Sequence, residues 1–470
     1  MNATQQSLTW LIVEHLLTIA GFLLAVMLIT QILRTNHRPA GALAWVMAIV
    51  LIPYVGVPLY LLIGGRKISR IVQEKAGLVK KGFGEHVVAA EPRCNAERLL
   101  IAAGMPATRP DNIVVLHHNG ETAYTVMMEL MREARHSIHA MTFILGRDDV
   151  GRSIVDMLAQ RAREGVRVRL LLDGLGCIRS SGRFVQSIRD AGGQVSVFLP
   201  VLPLRRKWSA NLRNHRKMVI ADGEVALVGG MNLATSFMGP RPAEKRFVDN
   251  AVFIRGPAVA DIDNIFADDW HYATDEVVPA HPPRDWREPR GHALVQVMAS
   301  GPDAVDDTLH DAILTAIMEA QERVWVVTPY FVPDEAILNV LALQARMGRD
   351  VRILVPTRSN HRIADLARGP AVRHLAGLGA KIYCYQKGML HAKALVFDHR
   401  LAITGSPNLD MRSMLLNFEI ALFHYSLAEI EQTATWIEDL LEDSMPLEPK
   451  PAGIVREWIE GASMLASPLL

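Results

Sequence analysis

The chain has 470 residues, a formal net charge of +1 and 50% hydrophobic residues. A charge this close to zero leaves no broad electrostatic footprint for a polyanion, so we predict no nucleic-acid partner. The length leaves room for two or three domains. The three cysteines lie far apart with no C-x-x-C pair, which excludes a disulfide framework and a zinc knuckle and favours a reducing compartment: Cys94, Cys177 and Cys384.

Two apolar runs stand at the N-terminus, Leu8 to Leu33 and Ala42 to Ile63. Each run reaches the roughly 20 residues that cross a hydrocarbon core, so residues 1–65 are predicted to form a transmembrane hairpin. A cleaved signal is disfavoured, because no basic residue precedes the first run and a second run follows at once. Pro53 and Pro58 predict a kink or a break in the second helix.

Basic residues indicate the orientation of this hairpin. The connecting loop carries Arg34 and Arg38, whereas six cations follow the second run: Arg66, Lys67, Arg70, Lys75, Lys80 and Lys81. The heavier count predicts a multi-pass protein whose large C-terminal body faces the cytoplasm. The hairpin is then either a simple anchor or a device that keeps an active site near lipid headgroups.

Beyond the hairpin, the pattern predicts a connector (66–110), a first half (111–278), a Pro-rich linker (279–292) and a second half (293–470). Helical and strand periods alternate in both halves, which is typical of an α/β fold. The predicted helices are 122–135, 151–164, 308–322 and 334–347, and the predicted strands are 137–144, 166–173, 324–329 and 350–356.

One motif occurs twice with identical spacing. The copies read His215-Arg216-Lys217, Asp222, Gly229-Gly230-Met231-Asn232 and His391-Ala392-Lys393, Asp398, Gly405-Ser406-Pro407-Asn408. In both copies His to Lys is two residues, Lys to Asp is five and Asp to Asn is ten. Two matches in register indicate a duplicated unit whose halves each supply a His/Lys pair.

Within a strand, residues two apart share a face, so His215 and Lys217 point the same way. Asp222-Gly223 is a strong hairpin signal. A turn centred on it would place Gly230 opposite His215, and the same count would place Ser406 opposite His391. Asp222 and Asp398 belong to the catalytic motif, and we predict that they serve the structure of these turns rather than the chemistry.

The residue types suit phosphodiester chemistry. Lys217 and Lys393 neutralise an anionic phosphodiester before attack. One neutral imidazole can attack phosphorus, and the other, protonated, can donate to the leaving alkoxide and later deprotonate the incoming alcohol. One site results only if the halves face each other. Asn232, Ser406 and Asn408 are candidate hydrogen-bond donors to the phosphate. Asp249 and Glu419 are candidate partners of the second nitrogen of each imidazole. No cluster of His, Cys or Glu has the spacing of zinc ligands.

These residues resemble the phospholipase D superfamily, whose hallmark is the doubled H-x-K-x4-D element. More narrowly, the chain is similar to the bacterial cardiolipin synthases of that superfamily. The resemblance extends over nearly the whole chain through Arg38-Pro39, Ala44-Trp45, Pro329-Tyr330-Phe331-Val332-Pro333-Asp334, Asn408-Leu409-Asp410-Met411-Arg412-Ser413, Asn417-Phe418-Glu419 and Ser467-Pro468-Leu469-Leu470.

The resemblance implies two phospholipase D-like α/β halves facing each other in a protein of the bacterial inner membrane. It implies transfer of a phosphatidyl group from one phosphatidylglycerol to another through a phosphohistidine, with release of glycerol. By analogy His215 is the nucleophile and His391 the general acid, although the symmetry of the sequence does not decide that order. Neither ATP nor a metal is required, and the implied partners are phosphatidylglycerol and other anionic membrane lipids. Whether the protein forms a homo-oligomer stays open.

Two features are particular to this chain. Gly229-Gly230 stands where the second copy has Gly405-Ser406, so we expect two non-equivalent phosphate subsites. The segment 198–208 combines apolar residues with three cations and a tryptophan, which favours an interfacial loop on anionic lipid over a solvated basic loop.

Four alternative functions differ in how well the sequence fits them. A hydrolytic phospholipase D would use the same residues with water as the acceptor, and it stays the alternative. A nuclease is disfavoured by the hairpin and the near-neutral charge, and a non-catalytic scaffold by the two intact motifs. A CDP-alcohol type of synthase would need a D-G-x-x-A-R element, which the sequence lacks. Phosphatidylglycerol and phosphatidylethanolamine both stay open as the acceptor.

Overall fold

The computed structural model describes residues 3–35, 39–60, 91–201, 209, 211–279, 291–303, 307–448 and 451–465. Several sequence-based expectations lie outside these residues. They are the six cations at 66–81, most of the interfacial segment 198–208, most of the Pro-rich linker and the C-terminal Ser467-Pro468-Leu469-Leu470. The chain divides into two compact units, Met1–Ile68 and Ser69–Leu470.

The described residues of the small unit form three helices, α1 (Ala3–Thr35), α2 (Pro39–Leu51) and α3 (Pro53–Leu59). Within α1 the segment Glu14–Arg34 is long and apolar enough to cross a membrane. Helices α1 and α2 contact each other through a small buried apolar cluster that includes Leu28, Ile32, Ala42 and Ile49. Other large apolar side chains of the unit are exposed, among them Trp10, Phe22 and Tyr54.

The second apolar run is not one continuous helix. It breaks at Ile52, where the backbone leaves the helical region (φ −135°, ψ 62°), and Pro53 begins α3. The predicted break is therefore confirmed, and its cause is the ring of Pro53, which disfavours a helical conformation at the preceding residue. Neither α2 nor α3 alone reaches the length of a membrane span, and the run's last residues lie outside the described part of the chain.

The large unit alternates helices and strands as predicted. Its helices are α4 (Asn95–Ala102), α5 (Gly120–Glu133), α6 (Asp149–Arg163), α7 (Gln186–Asp190), α8 (Ala258–Thr274), α9 (Thr308–Glu319), α10 (Glu335–Arg346), α11 (Arg362–Gly377), α12 (Met411–Leu415), α13 (Leu427–Glu442) and α14 (Ile454–Leu465).

The strands of the first half are β1 (Arg109–His117), β2 (Ser137–Thr142), β3 (Arg167–Asp173), β4 (Gln194–Phe198), β5 (Met218–Ala221), β6 (Val225–Gly229) and β7 (Ala251–Arg255). Those of the second half are β8 (Ala293–Ser300), β9 (Arg323–Val327), β10 (Asp350–Pro356), β11 (Lys381–Tyr385), β12 (Ala394–Phe397), β13 (Leu401–Gly405), β14 (Glu419–His424) and β15 (Ser444–Pro446). The predicted elements all exist, with ends that differ by up to three residues.

The sheet shows the duplication directly. Its order is β15-β11-β10-β9-β12-β13-β14-β8-β1-β7-β6-β5-β2-β3-β4. Outward from the centre, the first half reads β1-β7-β6-β5-β2-β3-β4, and the second reads β8-β14-β13-β12-β9-β10-β11 in the same relative order. The halves meet where β1 and β8 pair antiparallel. In each half the His/Lys motif leads into the strand hairpin, β5-β6 or β12-β13.

An apolar core lies on both faces of this sheet. Helix α8 contacts strands of both halves and buries Ile262, Ile265, Phe266 and Trp270 in the larger cluster. A second cluster lies between β2, β3 and the amphipathic helices α5 and α6. The rigid sheet centre brings the two motif hairpins together.

The register of the two hairpins corrects one prediction. Met218 pairs with Val228, and Ala394 pairs with Thr404. Both turns therefore contain three residues, 222–224 and 398–400, and the register continues to Met231 and Pro407 opposite the histidines. The placement of Gly230 opposite His215 and of Ser406 opposite His391 is wrong by one residue. The turns themselves are centred as predicted, since the N–H of Glu224 donates to the carbonyl of Ala221 at 2.9 Å and that of Arg400 to the carbonyl of Phe397 at 3.2 Å. Because Ala221 pairs with Val225 and Phe397 with Leu401, Glu224 and Arg400 each add one residue to the connection.

The two motif aspartates have equivalent contacts. The Asp222 carboxylate accepts hydrogen bonds from the backbone N–H groups of residues 135, 136 and 137 at 2.7–2.8 Å. The Asp398 carboxylate accepts from those of residues 321, 322 and 323 at 2.8–3.2 Å. These bonds fasten each hairpin turn to the start of the neighbouring strand, β2 or β9. The fixed Lys-to-Asp spacing of the motif is thus explained by structure.

Candidate active site

The segments before the two histidines cross between the halves. Asn214 forms a parallel bridge with Phe418, and Leu390 forms one with Val248. The N–H of His215 donates to the carbonyl of Phe418 at 2.9 Å, and the N–H of His391 donates to that of Val248 at 2.7 Å. Each histidine is therefore fixed at the backbone level by the residue that precedes an acidic side chain of the other half.

The acidic side chains complete the crossing. Nδ1 of His215 lies 3.0 Å from both carboxylate oxygens of Glu419, and Nδ1 of His391 lies 2.6 Å from Asp249. Both carboxylates are fully buried. A carboxylate on Nδ1 favours the tautomer in which Nδ1 carries the proton, which leaves Nε2 as the basic nitrogen. Each imidazole is thus oriented by an acid from the opposite half.

Burial controls the protonation of both histidines. It lowers the pKa of His215 to about 4 and that of His391 to about 3, because the site is poorly solvated and the lysines repel a further positive charge, although the carboxylates oppose this. With only the protein's own charges present, both imidazoles are neutral at pH 7. The negative charge of a bound phosphodiester raises both pKa values, so the substrate itself helps to make one imidazole a proton donor.

The two motif lysines are buried beside the histidines, each with 3% of its surface exposed. Nζ of Lys217 donates to the carbonyl of His215, and Nζ of Lys393 lies 2.6 Å from Nδ1 of His391 and 4.0 Å from Asp249. Burial lowers the pKa of Lys217 to about 7 and that of Lys393 to about 8. Because burial disfavours the charged form of both lysines, an anion bound beside them interacts with them strongly.

The candidate phosphate donors have different contacts. Asn232 accepts the N–H of Ile144 at 3.0 Å through its side-chain oxygen, which leaves its amide nitrogen as the donor end. Asn408 is buried close to Lys393, in the wall of a small cavity that both residues line. The Ser406 hydroxyl donates to the carboxylate of Glu419 and accepts the N–H of Ile420 at 3.0 Å. Ser406 therefore holds the acid of His215.

The same geometry explains the glycine at the equivalent position of the first half. A Cβ atom added to Gly230 would lie 2.3 Å from Oδ1 of Asp249. The Asp249 carboxylate occupies the space that the side chain of Ser406 fills in the other half, and it accepts the N–H of Asn250 at 2.8 Å. The two subsites are thus non-equivalent for a steric reason.

Aromatic rings surround both imidazoles. The ring of Phe143 lies edge-on to His215 at 5.1 Å, and that of Phe237 lies edge-on to His391 at 5.0 Å. Phe247 and Tyr330 complete the wall around His391. These rings keep the exposed fraction of His215 at 9% and that of His391 at 5%. Such an apolar wall strengthens the electrostatic interactions within it.

Arg216 is a functional candidate that the sequence reasoning missed. This fully buried side chain of the first half donates to the backbone carbonyls of Glu419 and Ser300, both at 3.0 Å, and pairs with Asp269 of α8 at 2.6 Å. Asp269 also accepts the side-chain amide of Asn214 at 2.9 Å. The guanidinium therefore fixes the strand end that carries the acid of His215. The variable position of the motif, arginine in one copy and alanine in the other, was the available signal.

In the described part of the chain, no group of three or more His, Cys, Asp or Glu side chains is arranged to hold a metal ion. What converges here is two neutral imidazoles, two ammonium groups and two carboxylates. This set can neutralise, attack and reprotonate a phosphodiester.

Comparison with known proteins agrees with this site. A family model described as cardiolipin synthase, PLD-like domain, matches residues 127–270 and 313–441. A second, described as phospholipase D-nuclease N-terminal, matches residues 23–65. A cardiolipin synthase of Geobacillus sp. (strain WCH70) is 34% identical over 454 residues, which cover 93% of this chain and 90% of that protein. Cardiolipin synthase A of Pseudomonas aeruginosa is 32% identical and covers 93% and 92%.

The chain belongs to the cardiolipin synthase family. The resemblance drawn from the doubled motif is therefore confirmed. The crystal structure of a phosphatidylserine synthase from Haemophilus influenzae superposes with a TM-score of 0.61 at 16% identity, covering 80% of this chain and all of that one. This likeness shows that the family shares the two-half α/β fold of that protein.

We predict that Arg216→Lys lowers kcat by about 10- to 100-fold, because lysine keeps the charge opposite Asp269 but cannot hold both carbonyls and so loosens Glu419. The acid limb of the pH–rate profile should shift to lower pH, since a slackened Glu419 supports the protonated form of His215 less well. Arg216→Ala should cost about 3–5 kcal/mol of stability, because Asp269 is left as an uncompensated buried charge.

Arg323→Lys is the matched control. Arg323 also donates to a backbone carbonyl (Asp398, 2.9 Å) and pairs with a carboxylate (Glu431, 2.6 Å), but at the turn end of β9. Equal kinetic constants and equal pH profiles for Arg216→Lys and Arg323→Lys would refute the positioning role.

The pKa values of the two motif lysines predict the alkaline limb of the pH–rate profile. Each is charged below its pKa, so kcat/KM for an anionic lipid should fall as the pH rises through about 7 to 8. Lys217→Arg keeps its charge at every accessible pH and should move the start of the fall up toward the pKa of Lys393. The measurement is kcat/KM in mixed micelles from pH 6 to 10, with Lys245→Arg on the exposed surface as the control. An alkaline limb that Lys217→Arg does not move would contradict this assignment.

Proposed function

We propose that this chain is a cardiolipin synthase that transfers a phosphatidyl group between two phosphatidylglycerol molecules through a phosphohistidine. The observation that carries the proposal is the crossed pair of contacts, His215 with Glu419 and His391 with Asp249, around two buried lysines. Membership of the cardiolipin synthase family supports the substrate class, which is phospholipid.

In the first step Nε2 of His215 attacks phosphorus, and the bond to the glycerol oxygen breaks as His391 gives that oxygen a proton. In the second step His391 takes the proton of a hydroxyl of the second phosphatidylglycerol, whose oxygen attacks phosphorus while the bond to His215 breaks. One phosphodiester replaces another, so no external energy source is needed. Lys217 and Lys393 neutralise the non-bridging oxygens throughout, assisted by the amides of Asn232 and Asn408.

His215 is assigned the nucleophile by analogy with the superfamily. The contacts of its acidic partner Glu419 favour this choice. The Ser406 hydroxyl donates to the Glu419 carboxylate, and Arg216 donates to the Glu419 backbone carbonyl. A nucleophile must be held closely to the in-line path through both steps. Among the described residues, no serine hydroxyl holds the Asp249 carboxylate and no arginine holds its backbone carbonyl. His391, the partner of Asp249, is then the residue that exchanges a proton with the alcohols.

Transfer is favoured over hydrolysis by the aromatic wall. Water competes with the second lipid for the phosphohistidine, and rings on both sides of the histidines limit its access. The hydrolytic phospholipase D reaction stays the second candidate, because the same catalytic residues would serve it with water as the acceptor.

For the N-terminal unit we propose a hairpin that crosses the bacterial inner membrane twice and leaves the catalytic body in the cytoplasm. The apolar segment Glu14–Arg34, the exposed apolar side chains and the match of residues 23–65 to an N-terminal family region support it. A second crossing would use α2 and α3 together, with the break at Ile52 inside the span. The cations beyond the second run give the orientation.

The function is tested with the full-length protein and phosphatidylglycerol liposomes, without nucleotide or added metal, with lipids followed by mass spectrometry. Cardiolipin and free glycerol should form in equal amounts. His215→Ala and His391→Ala should each lower the rate by at least about 100-fold, whereas His374→Ala on the exposed surface of α11 should not. Phosphatidic acid without cardiolipin would instead assign a hydrolase.

The same variants separate the two histidines. A 4-nitrophenyl ester of phosphatidic acid has a leaving group that needs no proton, so it should release nitrophenol with His391→Ala but not with His215→Ala. The reverse pattern would exchange the two roles.

The topology is tested with single cysteines in a variant that lacks Cys94, Cys177 and Cys384. A membrane-impermeant maleimide should label His37→Cys in intact spheroplasts and Lys75→Cys only after lysis. Labelling of Lys75→Cys in intact spheroplasts would overturn the proposed orientation.

A further inference from the structure

An open cavity of about 610 Å³ lies where β2 and β3 end. We call it the arginine pocket and define it by Arg147, Arg179 and Ile178 together with the backbone of residues 144–146 and 176. Its two halves are the segment that follows β2 and the loop that follows β3. In parallel α/β sheets, ligands bind at such carboxyl ends of strands.

The pocket adjoins the reaction centre. Phe143, one residue before its wall begins, lies edge-on to His215. Ile144, in the wall, donates its N–H to Asn232, a candidate phosphate-binding residue. The next residue, Leu145, bridges to Leu233. One short segment therefore forms the wall of the pocket on one side and touches the catalytic groups on the other.

The pocket is chemically suited to an anionic amphiphile. Arg147 and Arg179 are exposed, and within the described ranges neither has an ion pair or a hydrogen bond. Two neighbouring carboxylates are engaged elsewhere: Asp148 accepts the N–H groups of Gly151 and Thr235, and Asp173 accepts those of residues 175, 176 and 214. Asp149 is exposed at the start of α6. Ile178, which lines the pocket, is 59% exposed, and Leu175 of the same loop is 44% exposed.

The equivalent place in the other half has a different lining. Thr142 and Thr328 make the same side-chain contact, to the carbonyls of Ile144 and Tyr330, and the sixth residue after each threonine is the aspartate that caps the next helix. In this alignment Pro333 stands where the first half has Arg147. There Tyr330 donates its hydroxyl to Asn360 at 2.6 Å, and the segment after β10 carries the exposed Arg358 and Arg362.

Synthesis of cardiolipin needs two anionic lipids in one site. The reacting phosphate of the donor lies between the two lysines. The acceptor brings a second phosphodiester, which does not react but must lie beside the centre when its glycerol hydroxyl attacks. We propose that the arginine pocket binds this non-reacting phosphodiester of the acceptor phospholipid, with Arg147 and Arg179 on the phosphate and Ile178 and Leu175 on the adjoining apolar part of the lipid. This inference rests on the proposed function.

The test compares two reactions of the same enzyme. Formation of cardiolipin uses an acceptor that carries a phosphate, whereas exchange of labelled glycerol into phosphatidylglycerol uses the same phosphatidyl-enzyme with a neutral acceptor. The full-length double variant Arg147→Ala/Arg179→Ala should form cardiolipin at least about tenfold more slowly at low phosphatidylglycerol and should exchange glycerol at the wild-type rate.

The matched control is Arg163→Ala/Arg167→Ala, which removes the same charge from exposed positions at the opposite ends of α6 and β3. It should leave both reactions unchanged. Inorganic phosphate in the wild-type assay distinguishes the sources of the anion: a site for the lipid-borne diester resists millimolar phosphate, whereas inhibition by phosphate that the double variant lacks would assign a free-phosphate site and overturn the proposal.

Other outcomes of these experiments also test the proposal. Wild-type rates of cardiolipin formation in the double variant would overturn the proposal, and so would an equal loss of both reactions. A parallel loss of binding to phosphatidylglycerol vesicles would make the pocket a membrane-docking surface instead. Absence of both reactions in the wild-type protein would overturn the proposed function and this inference together, a pattern that failure of the pocket alone does not produce.

Discussion

The site depends on one constraint: each motif histidine is oriented by a carboxylate of the opposite half. The paired residues are 204 positions apart in one case and 142 in the other. Neither half therefore contains a complete histidine–acid pair. The backbone bonds at Phe418 and Val248 make the crossing rigid, because each lies next to the acid it positions. The chemistry can appear only after the central strands β1 and β8 have joined the halves.

This arrangement concentrates charge where water is scarce. Two lysines and two carboxylates are buried together, and each ion costs several kcal/mol to remove from water unless it is compensated. The opposite charges offset most of this desolvation cost. The part that is not offset lowers the pKa values of Lys217 and Lys393. A phosphodiester adds the negative charge that returns both lysines to full protonation. Substrate binding and the electrostatics of the fold are thus coupled.

The sequence alone predicted the α/β class, the duplication, the alternation of elements and the break at Pro53, because spacing and periodicity carry that information locally. It did not predict the hairpin register, since Glu224 adds one residue between the turn and the pairing of Ala221 with Val225. The crossing of Glu419 to His215 was equally hidden, because two acids at similar offsets are compatible with either pairing. Arg216 reads as a variable position until its carbonyl partners in the other half are known.

Three departures from symmetry lie on one side. Ser406 and Arg216 hold the acid of His215, and Arg147 lines a pocket beside the same histidine. The equivalent positions hold Gly230, Ala392 and Pro333. Two identical subsites would bind two phosphodiesters alike and could not distinguish the phosphate that reacts from the one that is only held. A duplicated fold that joins two copies of one lipid therefore has to become asymmetric, and it does so around the histidine assigned as the nucleophile.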